Sequence, residues 1–439
     1  MAIPIDQTVE GLPVTAFHIR LLALVGVIIL LDGFDVQVAA FAGPAILAEW
    51  RTTPAMLAPA MAAALVGMAI GTGLGGMAGD RLGRRPALIG SVIVFGALSI
   101  LTAFAPDITE LAILRFLTGI GLGAAVPNAT ALVAEWMPAR IRGYAVTAII
   151  VAVPCGGMIG AGFASWLIPA HGWRLCMGLG GLLPLLLALV MWRSLPESPA
   201  ILARRSGGVP ALAVLLGRAG ARVPADAVFV EVEPVGKGNG AGVYVGALRR
   251  SGIGLAIAFF ASMLALYAYL SWIPVLLAGA GFPMDRAIQG SLVFNLCGVL
   301  ASFVAAWATP RWGSRTTLIA ACVAALLATG VCAVMMAGGR APPAAILAAL
   351  GAAGAGAFAV QVTLYSLAVH VFPVSCRAAG IGYSASIGRL GAIASAFGAG
   401  LLLALPSGGP AYFALIALAC LVSALGVAIV DRHAPRRPM

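Results

Sequence analysis

The sequence predicts an all-α membrane protein with twelve transmembrane helices in two pseudo-symmetric six-helix bundles. Three observations predict it. The chain of 439 residues is 62% hydrophobic and only 9% charged, whereas soluble proteins carry about 25% charged residues. It contains about twelve apolar runs, each near the ~20 residues that a span requires. A single long polar stretch interrupts them after the sixth, dividing the chain into 1–193, a linker at 194–250, and 251–439.

The spans of the first half lie at 17–42, 56–78, 87–105, 110–134, 144–168 and 174–192. Those of the second half lie at 251–278, 287–309, 316–337, 343–371, 377–404 and 410–430. Gly (56) and Pro (27) are abundant in the chain; membrane helices tolerate both because close packing re-satisfies the backbone. Segments of ~10 residues with alternating polarity, the mark of an outer-membrane barrel, are missing. The linker has Arg pairs, Gly207-Gly208, Pro210, Glu231 and Glu233, and is expected to hold one short surface helix.

The distribution of charge sets the orientation. The net charge is +11, yet about twenty of the 26 Lys and Arg residues fall in loops on one side of the membrane. They include Arg81, Arg84, Arg85, Arg140, Arg142, Arg311, Arg315 and the basic residues of the linker; the opposite loops keep Arg51, Arg174, Arg286 and Arg340. By the positive-inside rule both termini and the linker face the cytoplasm of a multi-pass inner-membrane protein. The basicity is therefore topological and does not point to nucleic acid. The N-terminus lacks a basic n-region and a cleavage site, so the first span is expected to remain as an anchor. None of the seven cysteines stands in a CxxC or at metal spacing, and they read as small buried hydrophobes.

The halves echo each other. Asp80-Arg81-Leu82-Gly83-Arg84-Arg85 follows the second span, and Pro310-Arg311-Trp312-Gly313-Ser314-Arg315 follows the eighth, with Leu88 matching Leu318. Pro138-Ala139-Arg140-Ile141-Arg142-Gly143 has a weaker counterpart at 373–377. Duplicated six-helix units are the plan of rocking transporters, whose substrate site lies between the halves near mid-membrane.

Gly76-x-x-x-Asp80-Arg81-x-Gly83-Arg84-Arg85 resembles the signature loop of the major facilitator superfamily. Leu114 to Gly123 and Pro196-Glu197-Ser198-Pro199 are similar to its fourth-helix and end-of-first-half motifs. Within it, Asp32-Gly33-Phe34-Asp35, Gly123 to Ala129 and Ser271-Trp272-Ile273-Pro274 resemble the aromatic acid:proton symporters. The resemblance implies a cytoplasmic latch around Asp80, Arg81, Arg84 and Arg85, in which Arg142 is a candidate partner. Because Pro310 replaces the acid in the second copy, a gate built on that acid exists in the first half only.

The ionisable residues clearly inside spans are Asp32, Asp35, Arg115 and Arg389. A charge at mid-bilayer costs roughly 2.5–3.5 kcal/mol on insertion scales and usually serves a pathway. With no His, Lys or Glu at that depth, Asp32 and Asp35 are the proton-coupling candidates, sharing one helix face at i, i+3. Counting residues from the outer ends places Asp35 and Arg115 only ~3 Å apart in depth, so Arg115 could reach Asp35. Arg389 has no acid evidently level with it. A guanidinium fork suits a carboxylate, so Arg389 is the candidate substrate anchor. Arg115 is either a second substrate contact or an ion-pair partner of the acids. Gln37, Asn128, Trp272, Asn295, Gln361, Tyr365 and Tyr383 are candidates for the cavity lining, the rings by stacking and the amides by bonding a ring hydroxyl.

The expected activity is proton-coupled import of a small aromatic carboxylate by a monomer in the lipid bilayer, driven by the proton gradient without a cofactor or metal. No nucleophile–base pair suggests an enzyme, and the Gly-rich runs lack the GK[ST] ending of a phosphate loop. The alternatives on the same fold are a carrier of non-aromatic organic anions and a proton-driven exporter. A membrane sensor would want a larger cytoplasmic domain than 194–250.

Overall fold

A computed structural model describes residues 2–205, 209–221, 228–230, 248–338, 342–372, 377–405 and 408–433. Arg222, Glu231, Glu233, Lys237 and Arg340 lie outside the described residues, as do Gly207, Gly208 and the repeat counterpart at 373–376. A short helix α1 (Ile5–Glu10) precedes α2 (Ala16–Glu49), α3 (Pro54–Leu82), α4 (Arg84–Thr102) and α5 (Ile108–Trp136). Next comes α6 (Ala139–Ser194), which at 56 residues is far too long for one crossing. It breaks at Gly172, where φ is 84°, and so supplies the fifth and sixth spans. Among its described residues the linker holds two helices where the sequence predicts one: α7 (Pro199–Arg204) and α8 (Val209–Ala219). The second half is α9 (Arg249–Gly279), α10 (Met284–Trp312), α11 (Ser314–Gly338), α12 (Pro343–Val371), α13 (Arg377–Leu403) and α14 (Gly408–Ile429). Strands β1 (Ala2–Pro4) and β2 (Val228–Val230) pair in parallel outside the bundles.

Leu212, Leu216 and Ala219 form a buried stripe on α8, packed with Leu21 and Leu195 of the first half. Their i, i+4, i+7 spacing is that of a helix laid on an apolar surface.

The repeat is visible in the backbone. Gly83 and Gly313 take φ of 113° and 82° in the tight turns between α3 and α4 and between α10 and α11. Leu88 and Leu318 are both fully buried just beyond. At Gly83 an added Cβ would also meet Glu197 Oε2 at 2.2 Å. Gly83→Ala is thus expected to destabilise the protein by about 1–3 kcal/mol, read as a lower unfolding midpoint in detergent.

Apolar packing distinguishes the two ends of the molecule. At the end bearing 44–58, 275–294 and 396–416, residues of both halves form one continuous apolar cluster. There the backbone at Gly43 approaches Val275, Gly162 approaches Leu292, and Gly400 approaches Ala58 and Trp272. At the opposite end, which carries the Arg-rich loops, each half keeps its own cluster. The halves therefore share one apolar core at the far end and keep separate cores at the basic end. Both the start of α2 and the end of α14 lie at the basic end.

Candidate functional site

Helix α2 carries both acids at its middle. It is pressed on α6 backbone to backbone: a Cβ at Gly33 would meet Val153 O at 2.0 Å. Only glycine permits that approach, and it fixes which way the neighbouring Asp32 and Asp35 point.

The two acids have different surroundings. Asp35 Oδ1 lies 2.7 Å from Arg115 Nη1, and Arg115 Nη2 donates to the Asp35 backbone carbonyl at 2.9 Å. Ser99 Oγ donates to Asp35 Oδ2. Asp35 and Arg115 are each 1% exposed, so the depth-matched pair is present as a sealed bridge across α2, α4 and α5. That geometry takes up the carboxyl and much of the guanidinium, leaving Arg115 as partner of the acid rather than as a free contact. Asp32 is fully buried, and neither carboxyl oxygen has a hydrogen-bond partner.

Arg389 on α13 crosses the interface and donates from Nη1 to Met68 O at 3.3 Å and to Thr72 Oγ1, both on α3. Asp32, Tyr267 and Tyr365 all lie within its electrostatic reach. The expectation that no acid stands level with Arg389 is thereby corrected: Asp32 and Arg389 both sit at the middle of their helices, Ala16–Glu49 and Arg377–Leu403. Four helices thus bring Asp32 (α2), Tyr267 (α9), Tyr365 (α12) and Arg389 (α13) together at mid-depth. The space beside them, bordered by Gln37, Met68, Arg115 and Tyr267, holds only about 20 Å³. That is room for about one water and far too little for an aromatic ring.

The remaining lining candidates are scattered. Trp272 is fully buried, with Nε1 donating to Ala396 O at 2.9 Å; it wedges α9 against α13 and presents no face to a cavity. Asn128 Nδ2 donates to Gly75 O and Ala124 O, both at 2.8 Å, and ties α5 to α3. Asn295 Nδ2 donates to Gln37 Oε1 at 2.9 Å, a buried bond directly between the halves. Gln361 Oε1 accepts from Ser262 Oγ at 3.1 Å while its Nε2 has no partner. Tyr365 packs edge-on against Phe259, and Tyr383 is 49% exposed on the basic side. Thr72 and Ser99 carry no signal in the sequence, because a lone hydroxyl in an apolar helix more often bonds its own preceding turn.

At the basic end the signature loop is held within the first half. Arg84 bridges Asp80 at 2.6 Å and Glu135 at 3.4 Å. Glu197 accepts from the backbone N–H groups of Arg85 and Ser198, and Ser198 Oγ donates to Glu135. Arg85 donates to Trp192 O, while Arg81 is exposed. Arg142, expected beside this cluster, instead bridges Glu10 at 3.2 Å, because α1 folds under the start of α6.

A two-bundle membrane protein whose halves contribute an unpaired acid and a guanidinium to one mid-depth site is a secondary transporter in plan, not an enzyme. The family model of the Major Facilitator Superfamily matches residues 25–396. A gallate transporter of Pseudomonas putida is 34% identical over 99% of this chain and 96% of its own. The 4-hydroxybenzoate transporter PcaK of the same species is 34% identical over 92% and 90%. The crystal structure of a D-xylose-proton symporter superposes with a TM-score of 0.73 at 19% identity, covering 96% and 98% of the two chains. The chain belongs to the Major Facilitator Superfamily.

Proposed function

We propose that the protein imports aromatic carboxylates across the cytoplasmic membrane together with protons, by alternating access. One observation carries the reading: an unpartnered, fully buried carboxyl from one half, Asp32, shares a mid-depth site with Arg389 from the other. Burying an anion without a hydrogen-bond partner is costly, so this arrangement suits the neutral acid and makes Asp32 the proton site. Arg389 is occupied by the Met68 carbonyl and the Thr72 hydroxyl, weaker acceptors that a carboxylate can displace. Tyr267 and Tyr365 supply ring faces beside it. The gallate and 4-hydroxybenzoate carriers among its relatives support an aromatic acid as cargo.

In this reading the basic end faces the cytoplasm, as the positive-inside rule demands, and it is the end at which the halves part when the carrier opens inward. From the outward-open state a proton settles on Asp32 and a carboxylate on Arg389. With both charges neutralised, closing around the loaded site becomes cheaper, and the carrier rocks inward. Opening to the basic side then releases both.

Counterflow in proteoliposomes tests the assignment. Labelled 4-hydroxybenzoate or gallate is expected to exchange well, and aliphatic acids of similar charge poorly. Arg389→Lys keeps the charge but loses the planar fork, and should weaken apparent affinity by about tenfold, a loss of ~1.4 kcal/mol. Unchanged affinity in that variant, or equal exchange of aliphatic acids, would overturn the anchor or the substrate class respectively.

A further inference from the structure

A second pocket, away from the transport pathway, opens at the basic end between the start of α2, the end of α6 and α8. It is a cleft of about 790 Å³ with Arg20, Arg193 and Arg218 at its border, one from each element. Between the arginines its walls carry apolar side chains, including Phe17, Leu24 and Leu215, with Thr15 and Ser194, and no acidic side chain lines it. Among the described residues none of the three arginines forms an ion pair. Three unneutralised guanidinium groups around a greasy cleft form a receptor for a ligand with an anionic head and an apolar body.

The surroundings place this cleft at the membrane surface. Ile19 on α2, Trp192 on α6 and Val214 on α8 are strongly exposed beside it. Such side chains face acyl chains and the headgroup boundary when the protein sits in a bilayer, the level at which exposed Trp collects. Helix α8 itself exposes Val214 on the side away from its buried stripe, an apolar surface that acyl chains would cover. The cleft therefore meets the layer where phospholipid phosphates lie.

We propose that this cleft binds an anionic phospholipid, with its phosphate and headgroup on Arg20, Arg193 and Arg218 and an acyl chain along Phe17, Leu24 and Leu215. Because α8 lies within the connection between the halves, the bound lipid pins the linker to the first bundle. The site needs only insertion in a membrane and is independent of which cargo is carried.

Delipidated protein titrated with phosphatidylglycerol or with phosphatidylcholine of the same chains, and followed by native mass spectrometry, tests this. Phosphatidylglycerol should form a discrete adduct at concentrations at least about tenfold below phosphatidylcholine. Each basic residue near an anionic surface contributes a factor of about five, so Arg20→Gln/Arg193→Gln/Arg218→Gln together should weaken the adduct roughly a hundredfold. Arg218→Gln alone, on exposed α8, should weaken it about fivefold. The same charge removed elsewhere, by Arg249→Gln/Arg311→Gln/Arg432→Gln, should leave it intact. Equal binding of the two lipids, equal loss in both triple variants, or displacement of the adduct by millimolar inorganic phosphate would overturn the proposal.

Discussion

Asp32→Asn protein, reconstituted in proteoliposomes, is expected to exchange aromatic acid in counterflow yet fail to concentrate it when a proton gradient is applied. The substitution is nearly isosteric, and the site already lacks hydrogen-bond partners for both carboxyl oxygens, so folding should be little affected. What it removes is the carboxyl of the mid-depth cluster, the group there suited to take up and give back a proton. An ionised acid at that depth opposes closure by roughly 2.5–3.5 kcal/mol on insertion scales, about two orders of magnitude in the population of the closed state. Asn abolishes that brake permanently. Uptake should then run to the equilibrium level and stop, and exchange should lose its dependence on pH. A variant that still accumulates substrate against its gradient would remove Asp32 from the coupling role.

The second large effect is on stability. Arg115→Gln should destabilise the protein by about 3–5 kcal/mol, because it strands Asp35 in a site where both partners are 1% exposed. Asp35→Asn should cost a similar amount by stranding Arg115. The double variant Arg115→Gln/Asp35→Asn removes both charges and should recover most of the loss, since a buried pair contributes little net stability beyond an uncharged replacement. Thermal unfolding in detergent measures all three. The contrast with Asp32→Asn is diagnostic: one acid uncouples when neutralised, whereas the other unfolds the bundle. Were the double variant as unstable as either single one, the bridge would not be the reason Arg115 and Asp35 are there.

Much of this architecture is legible in the amino-acid order alone. The spans follow from apolar length, the twin turns from the glycines at 83 and 313, and the Asp35–Arg115 bridge from residue counting along two helices that pack side by side. All of these depend on local sequence or on one bundle. What stays hidden depends on how the bundles meet. Neither the Asn295–Gln37 bond nor the bond from Arg389 to Thr72 can be obtained from spacing, because each joins residues of different halves. Trp272 misleads for a different reason. An aromatic in a polar-looking motif suggests a stacking surface, yet its indole N–H finds a backbone carbonyl on α13 and the ring fills the crevice between two helices. Helix α8 is diluted by the polar residues around it. Its three-residue stripe acquires meaning only once Leu21 and Leu195 are seen beneath it.

The seam that closes the far end is oily, with Val275 against Gly43 and Leu292 against Gly162. Prising it apart wets hydrocarbon at roughly 25 cal/mol for every Å² uncovered. In the proposed import cycle this cost weights the idle carrier toward the form whose mouth faces the basic side, so that cargo arriving from the other compartment meets few receptive copies. Apparent affinity from that compartment is discounted by the same scarcity. Selection for faster capture would then act on the grease of this joint and leave the groups that grip the cargo untouched.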